Sequence, residues 1–107
     1  MVEVLHYVSN SGRDMVRQWL DDLHDARAAA GIVMRMDQLA AGNFGDCKPL
    51  DDGVWELRID HGPGYRVYYA MAGLKCVLLL CGGDKRKQAA DIKRAVEYWN
   101  DYQRRTK

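Results

Sequence analysis

The 107-residue sequence has no apolar run long enough to cross a bilayer, and that lack sets aside a membrane-spanning helix. The opening MVEVLHYV is too short and too acidic for a signal peptide, so the expected location is the cytoplasm, without a membrane partner. Proline is scarce, with 2 residues, and close to half of the chain is apolar, which excludes a disordered or low-complexity segment. Cysteine is limited to Cys47, Cys76 and Cys81, an odd number poorly suited to a secreted disulfide framework. Cys76 and Cys81 stand five apart on a strand-like run, so strict alternation points them to opposite faces and argues against a zinc site. No glycine-rich loop sits between a strand and a helix in the manner of a nucleotide fingerprint. The expectation is therefore a single domain over residues 1–107 that uses neither metal nor cofactor.

What is present is an uneven distribution of charge. Residues 1–62 hold 6 Lys/Arg against 11 Asp/Glu, net −5, while residues 63–107 hold 10 against 4, net +6. A molecule polarised in this way offers a basic surface to a polyanion even though its total charge is +1.

Hydrophobic spacing gives the elements. Residues 2–8 alternate loosely as a strand and end in the turn Ser9-Asn10-Ser11-Gly12. Met15, Val16, Trp19, Leu20 and Leu23 then recur at helical spacing, with Ser11 as the expected N-cap and Asp14 three residues on. The pattern resumes at Ala28, Ile32, Met36 and Leu39, so His24-Asp25 reads as a joint between two helices. Three strands in meander order follow: 54–60, 65–71 and 75–81, the last an uninterrupted apolar run expected to be covered on both sides and to stop at a Gly-Gly-Asp break. A helix from about Gln88 to Arg104 closes the chain, with Ile92, Val96 and Trp99 on its buried stripe.

Parity places chemistry on this frame. Trp55, Leu57 and Ile59 share one face of the first meander strand, and Tyr65, Val67, Tyr69 and Met71 share one face of the second. For both sets to reach one core, Arg58 must lie near Arg66 or Tyr68 on the opposite face. Two neighbouring arginines repel, so this row is either a ladder neutralised by Glu56 and Asp60 or a clamp for phosphate. Tyr68 beside them is a candidate for stacking on a base. Lys85, Arg86 and Lys87 put three cations at a helix start, where the backbone already favours anions. His61, in the turn before Tyr65, is a candidate acid or base.

The succession WELRI, YRVYY, LLLCGGDKRKQAADIKRA, after a strand and two helices, resembles the RelE/ParE superfamily of bacterial toxins, and more narrowly its HigB-like, phage-derived "addiction module killer protein" branch. The resemblance implies an α+β fold of order β-α-α-β-β-β-α, an antiparallel meander sheet packed by helices. It also implies a type II toxin–antitoxin toxin that inhibits translation as a ribosome-dependent endoribonuclease. The partners would be the ribosome, mRNA and a cognate antitoxin, often of helix-turn-helix type. The superfamily's catalytic cations map onto Arg58, Arg66, and Lys85 or Arg86, with Lys87, Tyr68 and His61 as RNA-binding candidates. The tyrosine that some ribonuclease relatives carry on the final segment has no counterpart in KQAADIK, so acid and base stay open. The same superfamily includes gyrase-binding proteins, which keeps a ParE-like or a purely interacting role as alternatives.

Overall fold

Residues 2–106 are described by the structure, a computed structural model. The elements run β1 (Glu3–His6), α1 (Met15–Asp22), α2 (Ala26–Ala40), β2 (Cys47–Pro49), β3 (Val54–Ile59), β4 (Tyr65–Gly73), β5 (Cys76–Asp84) and α3 (Gln88–Arg105), with single 3-10 turns at Asp51–Gly53 and Lys85–Lys87. The five strands form one sheet in the order β1-β5-β4-β3-β2. The expected antiparallel meander is present as β3-β4-β5, but the sheet is mixed, because β1 joins β5 in parallel. The short β2 extends it beyond β3, with Lys48 opposite Glu56; three residues ending in proline carry too little pattern to be seen in sequence.

The two faces of the sheet carry separate cores. Leu57, Ile59, Tyr65, Val67, Tyr69, Val77 and Leu79 pack with Val16, Ala28, Ile32 and Leu39 of α1 and α2. Val54, Tyr68, Ala70, Leu78, Leu80 and Cys81 pack with Ala95, Ile92, Val96 and Trp99 of α3. The face expected to be polar is thus covered by a helix wherever it carries an apolar residue, and only its Arg58–Arg66 end opens to water.

Three local expectations are corrected. Asp14, not Ser11, caps α1: its carboxylate accepts from Arg17 N and also lies 2.8 Å from His6 Nδ1, while Ser11 bonds Ser9 inside the turn. β5 does not break at the glycines but continues through Gly82 and Gly83 to Asp84. Finally, the ladder skips Leu80, pairing Tyr69 with Leu79 and Tyr68 with Cys81. This bulge returns Cys81 to the side of Leu78 and Leu80 and, by alternation, of Cys76, so the two cysteines share a face.

Three carboxylates sit below their ordinary range: Asp25 through the Ala28 N–H at the start of α2, Asp84 through the Arg86 guanidinium, and Asp101 through the Tyr7 hydroxyl. Folding lowers their pKa, so their contribution to stability is fully present above the unfolded carboxylate pKa of about 4 and is lost as the pH falls through the folded values. Asp91 acts oppositely, since burial raises it. Thermal melts across the acid range should therefore show Tm dropping below about pH 4, with a smaller drop in an Asp25→Asn, Asp101→Asn variant.

Candidate functional site

The antiparallel register sets Arg58 directly opposite Arg66. What holds two like charges there is Glu56, two residues before Arg58 on the same face and only 1% exposed. Its Oε2 lies 3.3 Å from Arg58 Nε, and its Oε1 lies 3.3 Å from Arg66 Nε and accepts from Gln88 Nε2 at 2.5 Å. The Arg66 contact is an ion pair without hydrogen-bond alignment, and Arg66 Nε has no hydrogen-bond acceptor among the described residues. Glu56 contacts both guanidiniums at Nε rather than at their terminal nitrogens. Arg66 Nη1 donates to Tyr65 O at 3.1 Å, and Arg58 Nη1 lies 3.9 Å from Asp46 Oδ1.

The third cation arrives from β5. Lys85 N donates to Gly64 O at 2.9 Å, extending the β4–β5 ladder by one step and bringing the lysine beside the 61–64 turn. Gly64 has φ +84°, and a Cβ there would come within 3.3 Å of Arg66 Nη1, so this position favours glycine both for its backbone and for its space. The result is an open recess of about 340 Å³ lined by Arg58, Arg66 and Lys85, with Asp46 and Asp60 also in its wall. Cations and carboxylates share one small, polar cavity.

The remaining candidates lie elsewhere. Arg86 is splayed outward, its side chain 79% exposed, and bonds Asp84 at 2.9 Å. Lys87 lines a different cleft of about 300 Å³ between α1 and α3, with Asp84, Asp91 and Arg94. His61 leans the other way, its Nε2 3.3 Å from Asp25 Oδ2 at the start of α2. Tyr68 is fully buried under α3, and burial together with the Glu56 charge pushes its phenol upward. A side chain with no exposed surface cannot stack on a base, so that expectation is withdrawn for Tyr68. Among the described residues no three His, Cys, Asp or Glu side chains converge as metal ligands.

Comparison with known proteins bears on this geometry. The family model described as "Phage derived protein Gp49-like (DUF891)" matches residues 18–97, a span of 80 of the 107 residues. The chain belongs to this Gp49-like family. It is a RelE/HigB-type family, associated with the toxins of toxin–antitoxin modules. An uncharacterized protein of Haemophilus influenzae is 53% identical over 77 residues, covering 72% of this chain and 78% of the relative. The Gp49-like match contains Glu56, Arg58, Arg66 and Lys85, so the whole cationic recess lies inside the family's common segment.

Proposed function

We propose that this Gp49-like protein is the toxin of a type II toxin–antitoxin module, and that it acts as a ribosome-dependent endoribonuclease on mRNA. The observation that carries this reading is the convergence of Arg58, Arg66 and Lys85 on one open recess that also holds Asp46 and Asp60. RNA cleavage without a cofactor proceeds by attack of the 2′ oxygen on the adjacent phosphorus. The O2′–P bond forms, the P–O5′ bond breaks, and the products end in a 2′,3′-cyclic phosphate and a 5′ hydroxyl. Such a reaction needs a base for the 2′-OH proton, donors for the charge gathering on the phosphorane, and a proton for the leaving 5′ oxygen.

Each requirement has a group in the recess. Arg58 and Arg66 supply planar donors to the non-bridging oxygens, and the Glu56 grip prepays their orientation. Asp46 and Asp60 are the carboxylates available to accept the 2′-OH proton, a role for which the sequence offered His61. Lys85 is the ammonium available to the leaving oxygen. The protein works in the cytoplasm, where a cognate antitoxin, of helix-turn-helix type, restrains it. Among the described residues no helix is long and apolar enough to cross a membrane.

Brief induction followed by mapping of mRNA ends tests the proposal. Cuts within translated reading frames, with protein synthesis falling before DNA synthesis, are expected. Intact mRNA with accumulated gyrase–DNA cleavage complexes would overturn it in favour of a ParE-like activity, and no effect on growth would favour an inactive interacting protein.

A further inference from the structure

The outward face of α2 is built for contact. Ala28, Ile32 and Leu39 turn into the core, so at 3.6 residues per turn Ala26, Arg27, Ala30, Val33, Met34 and Asp37 form the opposite face. Val33 is 43% and Met34 61% exposed, and they are two of the four large apolar side chains exposed among the described residues. A third, Leu74, stands fully exposed beside the C-terminal end of this helix, because Val2 N donates to Ala40 O while Glu3 N donates to Lys75 O. A solvated helix would carry charged residues at these positions.

The two charges that the face does carry select its occupant. Arg27 and Asp37 form no ion pair among the described residues, unlike most of the protein's arginines. They sit on the same face, about 15 Å apart along the helix. We propose that α2 pairs with α2 of a second copy of this chain, antiparallel about a two-fold axis at the level of residue 32. That single axis sets Arg27 opposite Asp37 of the second copy, and Asp37 opposite its Arg27. It also sets Ala30 opposite Met34 of the second copy, so that on both sides a long flexible side chain enters the space above a small one. The match is self-complementary, as a two-fold interface must be. Small residues at 26 and 30 let the helix axes approach closely. One helix pair buries less than a standard interface, so the association is weak and concentration-dependent.

Sedimentation equilibrium of the purified protein, from micromolar to millimolar concentration, tests the pairing. The weight-average mass should rise from the monomer's 12.2 kDa toward twice that value. Arg27→Asp and Asp37→Arg, each alone, should weaken association roughly tenfold or more by facing like charges at both ends, and the double exchange should restore it. Met34→Glu should abolish it. All three residues are exposed, so thermal melts should show the fold unchanged. A wild-type mass constant at 12.2 kDa across the range would overturn the proposal. So would a double exchange that associates no better than the single variants, or a different protein found shielding α2 while the chain stays monomeric.

Discussion

Replacing Arg66 by alanine should relieve growth arrest and slow mRNA cleavage by about 100- to 1,000-fold, the range seen when one preorganised donor to a transition-state oxyanion is removed. The expectation rests on position. Arg66 is the more enclosed member of the pair, its side chain 16% exposed against 37% for Arg58, so its field is the less weakened by water. Arg66→Lys keeps the charge but loses the planar fork, and should recover only a small part of the activity. Arg66→Ala also leaves Glu56 with one fewer counter-charge, so the variant's melting curve has to accompany the cleavage assay. Full cleavage by a well-folded Arg66→Ala protein would remove this arginine from the mechanism.

Glu56 separates orientation from chemistry. It is buried, is not among the residues lining the open recess and touches both guanidiniums at Nε, which makes it a positioning residue rather than a proton acceptor. Glu56→Gln keeps the shape and one acceptor for Arg58, Arg66 or Gln88 while removing the neutralising charge. Two arginines in register would then repel with only the more distant Asp46 and Asp60 to offset them, and the loss should fall on the rate of cleavage more than on RNA binding. A purely structural Glu56 would instead lower stability and leave the rate per folded molecule unchanged.

Parity of the strands narrowed the neighbour of Arg58 to Arg66 or Tyr68, because a period of two and one shared core leave few registers, and the register selects Arg66. The role of Glu56 was harder to see. It read as one rung of a solvated ladder, and its burial depends on α3 covering that face and on Gln88 reaching it from a position 32 residues later. Nothing in a local pattern states which face a distant helix will cover. The same helix removed Tyr68 from the site. Lys85 and Arg86 stood as equal catalytic candidates in the basic run, but successive side chains of a 3-10 turn diverge by about 120°, and only Lys85 faces the arginines. Asp46 was overlooked because it belongs to the approach to β2, an edge strand too short to announce itself.

The largest effects on stability should come from two glycines that read as a chain break and prove to be the thinnest part of the sheet. At Gly82 an added Cβ would overlap the Trp19 indole of α1, and at Gly83 it would overlap the Asp91 carboxylate of α3. Helices press on β5 from both sides there, and only the absence of a side chain lets them. The indole is a rigid ring already packed against the core, so Gly82→Ala has no flexible end to displace and should cost about 3 kcal/mol, at the upper end for overpacking. Gly83→Ala pushes on Asp91 and so breaks its pair with Arg94, leaving a buried carboxylate without its counter-ion. For a domain of this size each should lower Tm by roughly 10–20 °C. Gly31 supplies the opposite sign: it lies inside α2 with open space where a Cβ would go, so Gly31→Ala should add about 0.5–1 kcal/mol. Calorimetry of the three alanine variants checks the contrast directly. Equal effects at Gly82 and Gly31 would mean that the close approach of Trp19 is not what position 82 requires.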